Sequence, residues 1–306
     1  MTRADRRSVL TGLGAMGVIG CSQQPVPAEA VAAAMPGPER GGIDLSALEA
    51  RHGGRLGFVA HDIGSNRVLE WRGDERFVYC STFKAYLAAA TLQRVQNAEE
   101  RLDRAIPITA ADMVSHAPVT EPAVGSTLTI QQLMKAVVEV SDNPAANILI
   151  RELGGIDAMR SWYRSIGDHS TTVDRLEPMM NRLDGDKDTI TPFQSATNLR
   201  HLLLGPGSPL TTVSRTLLMS WMIASPTGAA RIKAGLPSGW RVAHKTGTGG
   251  YGPTNDIGIA LPRVGDPVVL AVYFHATRAS TPEQNDAVIA DATRIVLKAL
   301  GHGDAA

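Results

Sequence analysis

Three apolar runs lie close together near the C-terminal end of the chain: "WRVAHKTG" from Trp240, "DIGIALPR" from Asp256 and "PVVLAVYFHA" from Pro267. They are rich in branched and aromatic residues, and short polar or glycine-bearing segments separate them, so each is predicted to be a strand. A parallel pair needs a crossover of about a dozen residues or more, and these connections are turns, so the strands are expected to pair antiparallel. Near the other end, "RLGFVAHD" and "RVLEWR" flank a turn at Gly64 to Asn66 and predict two more strands. Between the two groups the punctuation is helical. Thr129 and Gln132 make a capping-box pattern, Asn143-Pro144 opens a helix that stops at Gly154-Gly155, and Thr191-Pro192-Phe193-Gln194 opens another. Asp44 can cap a short helix, and Ser280 or Thr281 with Pro282 opens a long last one to about Leu300. The expected fold is α/β: an antiparallel five-stranded sheet flanked by helices, formed from both chain ends, plus an inserted all-α domain. The sheet domain is expected to be discontinuous, over 43–75 and 225–302, with the helical domain over 76–224. A cleft between them is the natural place for a small-molecule site.

Bulk properties narrow the class. The chain has 306 residues, 43% of them apolar, which is enough for a real core. Lys+Arg and Asp+Glu are both 30, so there is no basic excess of the kind a nucleic-acid binder carries. The two cysteines, Cys21 and Cys80, are too few for a cysteine metal site, and the histidines form no His-x-x-x-His or HExxH pair, so no metal or cofactor is expected. The first residues read as an address. Arg6 and Arg7 precede a short glycine-rich apolar run ending in "VIGC". The arginine pair resembles a twin-arginine export signal, and the junction resembles a bacterial lipoprotein processing site. Residues 1–21 are therefore expected to be an export signal and 22–42 a flexible tether. Cys21 is expected to carry lipid on a periplasmic or extracytoplasmic face, the lipid being the chain's only membrane contact. An ordinary cleaved signal peptide with an incidental Cys21 is the alternative.

The chemistry is concentrated in four short motifs. In "YCSTFK", Ser81 stands three residues before Lys84 where an alanine-rich helix begins, so the two share a face. A serine hydroxyl is a poor nucleophile until a neighbouring group takes its proton. Alone, the pair reads more readily as a helix cap and a solvated first-turn cation. "SDN" (Ser141-Asp142-Asn143) lies between two helices, "RLEPMMN" (Arg175 to Asn181) in an irregular stretch, and "KTG" (Lys245-Thr246-Gly247) at a strand end. Each has a bland reading as capping or surface residues.

Taken in order, Ser-x-x-Lys, Ser-Asp-Asn, Glu-x-x-x-Asn and Lys-Thr-Gly resemble the motif set of class A serine β-lactamases, whose serine, lysine and Lys-Thr-Gly frame is shared with penicillin-binding proteins. The resemblance runs from about Ile43 to the last helix. It implies that a β-lactam is the small-molecule partner and that Ser81 attacks its carbonyl. Lys84 would accept or relay the proton, a task disputed between that lysine and the glutamate acting through water. Ser141 would pass a proton to the departing nitrogen. The backbone N–H groups of Ser81 and Thr248 would form the oxyanion hole. Asn143 would hold the substrate's side-chain amide, and Lys245, Thr246, Thr248 and Arg231 would serve its carboxylate. Glu177, with Asn181, would position and activate the water that hydrolyses the ester. Arg175 would latch the glutamate loop to Asp188, with Asp186 as the other choice. The chain is expected to act as a monomer. His116 stands where the family usually has an aromatic ring at the pocket rim. Cys80 matches a position that, in several carbapenem-hydrolysing members, bridges to a cysteine where this chain has Gly249, and the segment from Asn181 to Asp188 is slightly shorter than usual. A penicillin-binding peptidase or transpeptidase and a non-catalytic β-lactam-binding sensor share the frame, but neither needs the deacylating Glu177.

Overall fold

The computed structural model describes residues 39–250 and 252–303. The export signal over 1–21, Cys21 and the tether as far as residue 38 lie outside the described residues. In chain order the strands are β1 (Glu39–Gly42), β2 (Gly54–Asp62), β3 (Arg67–Trp71), β4 (Phe77–Val78), β5 (Ala105–Pro107), β6 (Thr127–Thr129), β7 (Thr189–Ile190), β8 (Arg241–Thr248), β9 (Pro253–Leu261) and β10 (Val268–Ala276). The helices are α1 (Ser46–His52), α2 (Phe83–Gln96), α3 (Ile130–Glu139), α4 (Asn143–Leu153), α5 (Ile156–Ser165), α6 (Pro192–Leu203), α7 (Thr212–Ala224), α8 (Ile232–Gly235) and α9 (Pro282–Ala299).

The main sheet runs in the order β1-β3-β2-β10-β9-β8. It therefore has six strands, not the five expected, and the extra one is parallel to its neighbour: Glu39 to Gly42 pair with Arg67 to Glu70. This corrects the tether boundary, because β1 falls inside the stretch expected to be flexible. "ERGG" offers no apolar alternation by which a strand can be read. Its order comes from the free edge of β3 and from Arg40, which donates to both Glu70 carboxylate oxygens at 2.8 and 2.7 Å and to Asp74 at 2.9 Å. The other five strands pair antiparallel, as their short connections require.

The sheet separates two cores. Along β10, Val269, Ala271 and Tyr273 face the helical body, whereas Val268, Leu270, Val272 and Phe274 face α1 and α9, the period-two alternation of a strand buried on both sides. The helical body is built around α2, whose residues from Phe83 to Leu92 are all buried, as an all-round apolar helix must be. Helices α3, α4, α5 and α7 pack on it, and α6 lies against the sheet. This middle region also holds two small sheets, β4–β7 and β5–β6, which the helical reading did not anticipate. The first ties the chain entering Ser81 to the chain leaving Asp188 through Phe77–Ile190 and Val78–Thr189. Three helix starts follow the sequence signals: Thr129 with Gln132 and Thr281 with Gln284 form reciprocal capping boxes, and Thr191 accepts from the Gln194 N–H. Asp44 does not cap α1 as expected: Leu45 stands at the cap position with no side-chain bond, and Asp44 Oδ1 accepts from the Ser46 N–H at 2.8 Å.

Candidate active site

Ser81 lies in a single 3-10 turn, Cys80–Thr82, that runs straight into α2. Its hydroxyl caps nothing. Instead Oγ accepts from Lys84 Nζ at 3.1 Å and donates to Glu177 Oε1 at 3.4 Å. Lys84 Nζ also sits 3.0 Å from Glu177 Oε1, so serine, lysine and glutamate form a closed triangle. The side chains of Lys84 and Glu177 are both fully buried. Desolvation pushes the lysine pKa down and Glu177 partly opposes it, which brings the amine nearer to a state that can take a proton.

The serine of Ser-Asp-Asn completes the base of the site. Ser141 Oγ accepts from Lys84 Nζ at 3.3 Å and from Lys245 Nζ at 3.1 Å, so two ammonium groups converge on one hydroxyl. Burial, and then Lys84, hold Lys245 well below the ordinary lysine range, with Asp256 opposing. Ser141 itself takes φ 63°, and its carbonyl accepts from Lys84 Nζ at 2.7 Å. Asp142 shows why an aspartate stands in the middle of the motif. It caps α4 through the Ala145 N–H at 2.9 Å and holds the facing loop through the Val119 and Thr120 N–H groups, each at 2.9 Å. Asn143 Oδ1 accepts from Lys84 at 2.5 Å while Nδ2 donates to the Ser115 carbonyl at 2.8 Å. His116 lies on the exposed rim, with Nε2 2.9 Å from the Val140 carbonyl.

Glu177 is held from three sides. Its Oε2 accepts from Asn181 Nδ2 at 2.5 Å, and Asn147 on α4 clamps its backbone, accepting from its N–H and donating to its carbonyl, both at 2.9 Å. Asn147 escaped the sequence reading. Its one signal was its place a helical turn after Asn143, on the same face. The glutamate loop closes on Asp188, whose Oδ2 lies 2.6 Å from Arg175 Nε and whose Oδ1 accepts from the backbone N–H of Asp174 and Arg175. Asp186 makes no side-chain contact with Arg175; its carbonyl accepts from Thr172 and Thr189.

The far end of the site is the edge strand β8. A Cβ built on Gly247 would lie 2.7 Å from the Tyr79 carbonyl oxygen and 3.1 Å from the Thr82 nitrogen, so only glycine lets β8 lie against the serine turn. Thr246 Oγ1 meets Thr227 Oγ1 at 3.0 Å. Arg231 enters from the segment before α8. Nη2 donates to Thr248 Oγ1 at 2.8 Å, Nη1 to the carbonyls of Gly247 and Asn255 at 3.2 and 2.9 Å, and Nε to Asp286 at 2.7 Å. Thr227 and Asp286 were not legible as site residues, because their partners are distant in sequence. A Cβ on Gly249 would lie 2.5 Å from the Asn181 carbonyl, so the strand end also abuts the glutamate loop. Cys80 remains a free, buried thiol whose pKa burial raises. Ser81, His116, Ser141, Asn143, Asn181, Thr227, Arg231, Thr246 and Thr248 line one cavity of about 320 Å³. Among the described residues no cluster of His, Cys, Asp and Glu could hold a metal ion.

The comparisons agree with this constellation. The family model described as "Beta-lactamase enzyme family" matches residues 43–300. Beta-lactamase CTX-M-8 of Citrobacter amalonaticus is 41% identical over 82% of this chain and 86% of its own length. Beta-lactamase FAR-1 of Nocardia farcinica is 39% identical over 84% and 82%. Among solved structures, an ancestral (GNCA) class A β-lactamase is 47% identical with a TM-score of 0.80, covering 83% of this chain and 98% of its own. A β-lactamase from Xanthomonas campestris is 41% identical with the same TM-score, over 84% and 96%. A buried serine–lysine–glutamate triangle, inside a match spanning almost all the described residues, leaves one reading: the chain belongs to the β-lactamase enzyme family, class A, and hydrolyses β-lactams.

Proposed function

We propose that hydrolysis runs through an ester on Ser81 that Glu177 then helps water to cleave. In acylation, Ser81 Oγ attacks the lactam carbonyl and its proton passes to the Lys84–Glu177 pair, both members of which touch the hydroxyl. The oxyanion gathers between the N–H groups of Ser81 and Thr248, which the close approach at Gly247 supports. As the C–N bond breaks, Ser141 gives its proton to the nitrogen and recovers one from the lysines around it. Thr246, Thr248, Lys245 and Arg231 receive the substrate carboxylate, Asn143 its side-chain amide, and His116 flanks the rim. In deacylation, Glu177 and Asn181 fix a water and Glu177 takes its proton. Hydroxide adds to the ester and Ser81 leaves with its hydrogen restored.

The observation that carries this reading is the buried carboxylate of Glu177, 3.4 Å from the serine oxygen and held by Asn181 and Asn147. A peptidase or sensor that stays acylated has no use for it. Glu177→Gln mixed with benzylpenicillin should accumulate protein heavier by one whole drug molecule, labelled on Ser81, while Ser81→Ala forms no adduct. Turnover of Glu177→Gln at the parent rate without adduct would refute the role. A parent enzyme that itself stays acylated for hours would favour the penicillin-binding reading.

The working unit in this reading is a monomer. The two cores on either side of the main sheet support the expected partition into a discontinuous α/β domain and an inserted helical one. No helix among the described residues is long and apolar enough to cross a membrane. The Arg6-Arg7 pair and the "VIGC" junction support export with lipid on Cys21.

A further inference from the structure

The residue before the nucleophile is strained. Cys80 takes φ 47°, a left-handed backbone that a residue with a Cβ keeps only where its surroundings over-determine it. Its own side chain does not supply that restraint, since Sγ reaches the Asn181 carbonyl only at 4.0 Å. The restraint falls on the carbonyl of Tyr79, which accepts from the Thr82 N–H at 3.2 Å, from Thr82 Oγ1 at 2.8 Å and from Asn255 Nδ2 at 3.1 Å. The first two bonds are internal to the turn. The third comes from β9, and the same Nδ2 donates to the Val78 carbonyl at 2.9 Å. Asn255 is fully buried, and its Oδ1 has no hydrogen-bond partner. The amide thus keeps an orphaned acceptor, which costs stability, in order to present its donor. Asn255 stands opposite Gly247 in the β8–β9 ladder. One cross-strand pair therefore supplies both the gap that admits the Tyr79 carbonyl and the donor that holds it.

We propose that Asn255 is a positioning residue for the nucleophile: through the Val78 and Tyr79 carbonyls it keeps Cys80 left-handed and so keeps Ser81 aimed at Lys84, Glu177 and the end of β8. The inference rests on Ser81 being the acylated residue. It concerns acylation, and Asn255 touches no substrate.

The test uses the full chain in a Glu177→Gln background, where the adduct is expected to persist, and follows its formation from benzylpenicillin by rapid quench and mass spectrometry. Adding Asn255→Ala should slow acylation roughly tenfold to a hundredfold, the range into which release of one strained residue converts, with a smaller change in pre-covalent affinity. Adding Cys80→Gly to that variant should recover at least half of the loss on a logarithmic scale, because glycine adopts the left-handed conformation without penalty. Asn255→Ser serves in the same way if the alanine variant does not fold. Acylation at the control rate overturns the proposal. So does a slow variant that Cys80→Gly leaves equally slow, since Asn255 would then act on the general fold and not through Cys80. The Glu177→Gln control is read first: an adduct there on any residue but Ser81 removes the functional reading itself, and the proposal with it.

Discussion

Arg231→Ala separates substrate binding from structure in a way the geometry makes quantitative. The guanidinium donates to Thr248 Oγ1, to two strand carbonyls and to Asp286, with a side chain only 10% exposed. It lines the same cavity as Ser81, so a carboxylate held by Thr246 and Thr248 comes within reach of Nη2. Losing one hydrogen bond to a charged group costs about 1.5–3 kcal/mol, which is roughly a tenfold to hundredfold fall in kcat/KM. Truncation also strips a donor from the Gly247 and Asn255 carbonyls and unpairs Asp286, so stability should fall by about 2–4 kcal/mol. Asp286→Asn divides the two effects. It keeps an acceptor for Nε but removes the ion pair, so stability should change by no more than about 1 kcal/mol. It should also leave KM equal or lower, since less of the cation is neutralised. The assay is steady-state kinetics on a penicillin and a cephalosporin at low ionic strength, with thermal melts of both variants. Unchanged kinetics for Arg231→Ala would show that the guanidinium serves the fold alone. An Asp286→Asn enzyme as impaired as Arg231→Ala would show the same.

Two further outcomes follow from other parts of the chain. Burial and Lys84 lower the pKa of Lys245, so its ammonium loses its proton as pH rises through that lowered value. kcat/KM should therefore fall, chiefly through KM, on an alkaline limb set below the ordinary lysine value of about 10.4, and Lys245→Arg should move that limb upward; a wild-type profile flat to about pH 10 would contradict this. The mature protein isolated from an exporting host should begin at Cys21 and carry lipid, and mass spectrometry that finds only a soluble form starting beyond Cys21 would end that reading.

The strands were legible where side chains alternate or run apolar between turns. β2, β3, β8, β9 and β10 all fall on the runs that suggested them. β1 was not, because "ERGG" carries no pattern and its order is borrowed from a neighbour's free edge and an arginine clasp. The short β4–β7 pair was hidden for a related reason. Two-residue strands have no period to read, and this pair exists because Tyr79 and Asp188 must be brought together: the Tyr79 N–H donates to the Asp188 carbonyl, and Tyr79 Oη meets the Asp188 carboxylate. Helix starts were legible because a cap is local chemistry, a side-chain oxygen and an N–H three residues on.

The same distinction divides the site. Ser81, Lys84, Ser141, Glu177 and Lys245 could be picked out because each sits in a short motif whose chemistry needs that residue type. Of the residues that hold them, Asn181 and the Arg175–Asp188 latch could be read beside the glutamate motif, and the others could not. Asn147 grips the backbone of Glu177 from another helix, Asn255 grips the backbone ahead of Ser81 from another strand, and Asp286 pairs with Arg231 across 55 positions. All three act on backbone or on a remote charge, so their effect on the reaction runs through distance, which a linear reading does not contain. A reactive group is specified by what it is, and its aim by what the fold places behind it. That is why the Ser-x-x-Lys, Ser-Asp-Asn and Lys-Thr-Gly frame alone fits a hydrolase and a penicillin-binding protein alike, and only the Glu-x-x-x-Asn motif makes the narrower distinction. In the fold, what separates the two is whether that carboxylate arrives within reach of the serine oxygen. Here it does, because Arg175 closes the glutamate loop on Asp188 at one end and Asn147 fixes Glu177 at the other.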